Sequence, residues 1–70
     1  MKNNLKVWRA QNNITQQGLA DAVGVSRQSI NAIETGRYEP STALSLKIAQ
    51  VLKTRVENLF SLEDTDWEKN

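Results

Sequence analysis

Arg27 and Gln28 stand side by side between Ser26 and Ser29, directly after the Gly24-Val25 pair. Arginine can donate two parallel hydrogen bonds to guanine O6 and N7, and glutamine can pair with adenine N6 and N7, so this tetrad is equipped to read base edges. Catalytic chemistry has no comparable foothold. The sequence has neither histidine nor cysteine, which removes Cys/His zinc sites, thiol nucleophiles, disulfides and the usual neutral-pH general base. With no nucleophile–base or metal-ligand grouping, neither an enzyme nor a metal or other cofactor is expected.

Charge is divided along the chain in a way the total of +1 conceals. After Leu62, four carboxylates face Lys69 alone, a net of −3, whereas residues 1–62 carry eight basic and four acidic side chains, a net of +4. A moderately basic body therefore precedes an acidic tail, giving expected units of 1–62 and 63–70. No apolar run approaches the roughly 18 residues of a membrane span, and Met1-Lys2-Asn3-Asn4 has no apolar signal core, so the expected location is the cytoplasm.

Seventy residues with 39% hydrophobic composition make one small domain. Apolar residues recur at helical spacing, and the spacing predicts five short helices. The first runs over about Asn4 to Asn12, with Leu5 and Trp8 inward, and Asn13 ends it in a left-handed conformation. Thr15 caps the second, Gln16 to Val23, and Gly24 stops it. Ser26 caps the third, which runs to about Thr35 with Gly36 just past its end. Ser41, after the helix-excluding Pro40, caps the fourth, about Thr42 to Lys53. Thr54 and Glu57 have capping-box spacing and open a fifth through Val56, Leu59 and Phe60. The remainder alternates weakly, as a short strand or a frayed end. Gly18 costs roughly 1 kcal/mol of helix propensity and leaves Thr15 without a capping-box partner.

Small Ala20, Gly24 at the turn, and Val25, Ile30 and Ile33 beyond it let the second and third helices cross over a tight connection, the geometry of a helix-turn-helix. A major groove about 12 Å wide admits one such protruding helix. The stretch Thr15 to Pro40 reads TQxxLAxxxGVSxxxIxxxExGxxxP and resembles the lambda-repressor-like, XRE-family regulators; the likeness covers about residues 4–60. It implies an all-α, five-helix DNA-binding domain. It further implies base contacts from Arg27, Gln28, Ser29 and Ala32, the last through its methyl to a thymine methyl. Gln16, Ser26, Asn31, Arg37 and Tyr38 would hold phosphates, and Arg9 and Glu34 would form an internal ion pair.

One helix-turn-helix presents few base-reading side chains, so a homodimer on a palindromic duplex site is expected, with recognition helices about 34 Å apart. Leu59, Phe60, Leu62 and Trp67 form the apolar end expected to make the dimer seam, with a short strand pairing between subunits. Repression by occlusion is the simplest mode of action. The competing class is an antitoxin-like or accessory module that keeps the fold to hold a protein partner. Nothing in the sequence identifies an effector.

Overall fold

The computed structural model describes residues 1–68. In chain order the elements are β1 (Lys2–Asn3), α1 (Leu5–Gln11), α2 (Gln16–Val23), α3 (Arg27–Glu34), α4 (Thr42–Val51), α5 (Val56–Leu59), β2 (Phe60–Ser61) and a 3-10 turn (Asp64–Trp67). The five-helix, mainly helical fold is thus the one the sequence implies.

Side-chain caps begin three helices. Thr15, Ser26 and Ser41 hold extended backbone and accept from the amides of Gly18, Ser29 and Leu44, each cap contributing about 1 kcal/mol. Left-handed residues follow the first four helices. Asn13, Gly24, Gly36 and Lys53 have φ of 52°, 79°, 79° and 58°. The next amides, on Ile14, Val25, Arg37 and Thr54, donate back to the carbonyls of Arg9, Ala20, Ala32 and Ala49 at 3.1, 3.0, 2.9 and 3.0 Å. These paired bonds satisfy carbonyls that a helix end leaves open.

The expected capping box of Thr54 and Glu57 does not form. Arg55 precedes α5 without a side-chain cap, and Thr54 Oγ1 instead accepts from Asn58 Nδ2 at 3.0 Å. The cause lies upstream: because Lys53 turns left-handed, Thr54 serves the end of α4 and α5 starts one residue late. At Gly18 the Thr15 bond survives at 2.9 Å. A Cβ at Gly18 would lie 3.1 Å from Ile14 Cγ1 and 3.2 Å from Thr15 Oγ1, so close packing accounts for a glycine that propensity disfavours.

Leu5, Leu19, Ile30, Ile33, Ile48, Leu52 and Leu59 are the fully buried large side chains of the core, each contributing about 1.5–3 kcal/mol through burial. α2 packs on both α3 and α4, so the helix before the turn is clamped from two sides and α3 is left with one face outward. Asn12 adds a polar tie, donating from Nδ2 to the carbonyls of Trp8 and Leu52 at 2.8 and 3.0 Å.

The C-terminal strand exists, but its partner differs from the expected one. β2 pairs antiparallel with β1 of the same chain, Lys2 opposite Ser61 and Asn3 opposite Phe60, and the Asn4 amide donates to the Leu59 carbonyl at 2.8 Å. One edge of β2 is thus occupied from within the chain, where the expected pairing was between subunits. Leu59 and Phe60 are buried in the chain's own core, which removes them from the expected dimer seam. A one-turn α5 followed at once by an extended residue turns both side chains inward. Leu62 and Trp67 remain 61% and 74% exposed.

Residues 63–68 of the expected acidic tail fold back on the amino terminus; Lys69 and Asn70 lie outside the described residues. The Met1 α-ammonium sits 2.9 Å from Glu63 Oε1 and 3.1 Å from Asp66 Oδ2, with Glu39 Oε2 at 3.9 Å. Its bonds to Glu63 and then Asp66 hold it above the ordinary amino-terminal value. The Glu63 backbone amide, followed by the ammonium, holds Asp66 below the usual carboxylate range.

Candidate nucleic-acid interface

Extended backbone at Ser26 and its bond to the Ser29 amide expose the first turn of α3. Arg27 and Gln28 point their polar ends to solvent, while Ile30 and Ile33 fix the opposite face in the core. The helix cannot roll without exposing those isoleucines. Arg27, Gln28, Asn31, Ala32, Gln16 and Arg37 line one open groove of about 550 Å³. Six of the nine expected contact residues thus converge, from α2, α3 and the turn after α3.

The other three lie elsewhere. Ser26 and Ser29 share a hydroxyl–hydroxyl bond of 3.0 Å at the head of α3, leaving less donor capacity for DNA than their sequence position suggests. Tyr38 is exposed, and its amide closes on the Ala32 carbonyl at 3.2 Å. Arg37 Nε makes only a long bond, 3.4 Å, to Thr35 Oγ1, so its guanidinium keeps donors for an outside partner. Neither α2 nor α3 has an acidic residue in its first turn, which leaves the positive helix ends uncompensated, as suits an anion.

Beneath the groove runs the ion pair that the resemblance implies. Arg9 Nε contacts Glu34 Oε2, Nη2 donates to Oε1 at 3.2 Å, and Nη1 donates to the Ile14 carbonyl at 3.0 Å. The pair joins α1 to the last turn of α3. Gln16 is tied into it: Nε2 donates to Glu34 Oε1 and Asn31 Oδ1, both at 3.2 Å. Both amide hydrogens of Gln16 are thereby used inside the protein, and its expected side-chain donation to a phosphate is not available in this arrangement. Gln17 borders a second shallow groove with Arg9, Thr15, Gln16 and Arg27, and its side-chain amide donates to Asp21 Oδ1 at 2.8 Å. Among the described residues no carboxylate, histidine and cysteine cluster could hold a metal ion.

A core-anchored helix that presents an arginine and a glutamine beside a tight glycine turn defines a helix-turn-helix reading head, and family comparison agrees. The family model described as "Helix-turn-helix" matches residues 5–59, and the chain belongs to that family, in its XRE-type branch. An uncharacterised HTH-type transcriptional regulator of Methanocaldococcus jannaschii is 50% identical over 66 residues, covering 94% of this chain and 100% of the relative. The uncharacterised regulator YgzD of Bacillus subtilis is 44% identical over 64 residues, 91% of this chain and 97% of its own. Among solved structures, the restriction-modification controller protein C.AhdI of Aeromonas hydrophila aligns with a TM-score of 0.74 at 28% identity, covering 80% of this chain and 85% of that one. The protein is accordingly a DNA-binding transcriptional regulator of the helix-turn-helix type. No helix among the described residues is long and apolar enough to cross a membrane.

Proposed function

We propose that the protein is a sequence-specific repressor that binds a palindromic operator as a homodimer, with α3 in the major groove, and that it acts in the cytoplasm by occluding promoters. The observation that carries this reading is the convergence of Arg27, Gln28, Ala32 and Arg37 on one groove beside the N-terminus of α2. Arg27 reads guanine and Gln28 adenine, Ala32 packs on a thymine methyl, and Ser29 adds a weaker base contact. Arg37, Ser26 and Tyr38 secure the flanking phosphates. One such head reads too few base pairs to select a site among competing genomic sequences, so two are required.

With Leu59 and Phe60 in the core, the seam is carried by Leu62 and Trp67, which remain exposed on a small protein. A protein-holding module is the competing reading, since these same side chains could dock a different chain. Selection of bound sequences from a random duplex pool, at low and near-physiological salt, separates the two. An enriched palindrome that survives the higher salt supports the dimeric reader; binding that vanishes with salt leaves only phosphate attraction and favours the protein partner. Sedimentation of a Leu62→Ser, Trp67→Ser variant then tests the seam, and an unaltered dimer places it on another face.

A further inference from the structure

The hydrogen bonds on the groove wall admit only one consistent set of directions. Arginine can only donate and a carboxylate can only accept, so Arg9 and Glu34 anchor the chain of bonds without ambiguity. The Gln16 atom 3.2 Å from Glu34 Oε1 must then be the amide nitrogen. That nitrogen also lies 3.2 Å from the Asn31 side chain, so the Asn31 atom it meets must be the acceptor Oδ1. Asparagine orientation is ordinarily open to a flip; here an ion pair two links away closes the choice. The hydrogens of Asn31 Nδ2, which no side chain or carbonyl among the described residues accepts, are left to the groove that Asn31 lines with Arg27, Gln28 and Ala32.

Asn31 lies one helical turn beyond Arg27 and therefore shares its face of α3. From this we infer that Asn31 is a specificity-determining residue, reading a purine by donating from Nδ2 to N7, and that Gln16 and Glu34 are the positioning residues that hold its amide in the donating orientation. The inference rests on the DNA-reading assignment and replaces the phosphate role that the family resemblance gives to Asn31 and Gln16. Both purines present N7 as an acceptor at the major-groove edge; cytosine presents an N4 donor that would oppose Nδ2, and thymine an O4 acceptor beside its C5 methyl, so replacing N7 by carbon is what separates a purine contact from a thymine one. Without Gln16 the amide is free to flip, and a flipped amide accepts where it had donated.

Two measurements test this, one without DNA. In the free protein, side-chain amide NMR is expected to show slow-exchanging Gln16 Nε2 protons and fast-exchanging Asn31 Nδ2 protons; the opposite pattern overturns the orientation. Pool selection with wild type, Asn31→Ala and Gln16→Met then locates the base pair whose preference Asn31→Ala erases, with thermal melts confirming that each variant folds. At that position wild type is expected to prefer a purine. Replacing N7 by carbon, with a 7-deazapurine in one half-site, is expected to cost wild type about three- to tenfold in affinity and Asn31→Ala nothing. Gln16→Met is expected to lose purine preference there while keeping the preferences set by Arg27 and Gln28. A uniform loss on all sequences for Asn31→Ala overturns the base-reading role, and an unchanged purine preference in Gln16→Met overturns the positioning role. Wild-type protein that enriches no sequence overturns the proposal together with the DNA-reading assignment, whereas enrichment with a purine-indifferent Asn31 position overturns the proposal alone.

Discussion

Removing Arg9 should cost the fold more than removing the charge of its partner. The side chains are 15% exposed for Arg9 and 8% for Glu34, so the carboxylate is the more enclosed of the two and relies more on protein donors. Arg9→Met keeps the apolar stem and deletes both bonds to Glu34 as well as the bond to the Ile14 carbonyl. Glu34 is then stranded with Gln16 as its remaining side-chain donor. Breaking a buried pair from one side costs about 3–5 kcal/mol, and the partial exposure lowers that here to about 2–4 kcal/mol. Glu34→Gln leaves an arginine whose long stem can lift its head to water, and its cost should be about 1–2 kcal/mol. For a domain of this size each kcal/mol corresponds to a melting-temperature change of about 4–8 °C. Urea and thermal unfolding followed by circular dichroism, with the double variant completing the cycle, measure both costs and their coupling. Additive costs, or a Glu34→Gln variant less stable than Arg9→Met, would refute the claim that the buried carboxylate is the dependent partner.

Lys53→Gly should raise stability by about 0.5–1 kcal/mol, visible as a higher melting temperature, because a lysine now occupies a left-handed position that glycine adopts without a Cβ penalty. Arg27→Ala should weaken operator binding by about 1–3 kcal/mol and relax selectivity at one base pair per half-site, read by repeating the pool selection. Arg37→Ala should instead weaken binding to all sequences and flatten the salt dependence by about one unit per subunit, measured by titration across salt concentrations. The contact between Met1 and the acidic turn should hold at neutral pH and open at both extremes. Asp66 titrates below its ordinary value, so its share is lost as pH falls through that depressed range; the ammonium titrates above its ordinary value, so its share is lost as pH rises past it. Amide shifts of Glu63 and Asp66 in a pH titration report both openings, and shifts that ignore pH would exclude the contact in solution.

Local signals carried most of the fold. Thr15, Ser26 and Ser41 begin helices because their hydroxyls reach an amide three residues on, and Asn13, Gly24 and Gly36 end them, so the reading head follows from nearest-neighbour chemistry. What the sequence did not disclose depends on contacts between distant residues. Nothing local in Lys2-Asn3 marks a strand; it becomes one because β2 lies alongside. Lys53 is no typical left-handed residue, yet it turns left-handed between α4 and α5, and that turn displaced the Thr54 cap. The apolar end misled for a related reason: Leu59 closes α5 and Phe60 opens β2, both packed into the core, whereas Leu62 lies just past the strand and stays exposed. At the site, residue types located the groove, but the direction of the amide bonds among Gln16, Asn31 and Glu34 needed α2 and α3 brought together.

The pairing of residues 2 and 61 also bears on the order of events in folding. Contacts among the helices span short stretches of chain, whereas this clasp must close a loop containing nearly all of it, and such closures are entropically late. The helical body is expected to define the transition state, with the clasp fastening afterwards. Bonds absent from the transition state act on the unfolding rate and leave the folding rate alone. On that reasoning the two residues of strand serve as a catch that fastens last: loosening it is expected to shorten the lifetime of the folded state and to leave the speed of its formation unchanged.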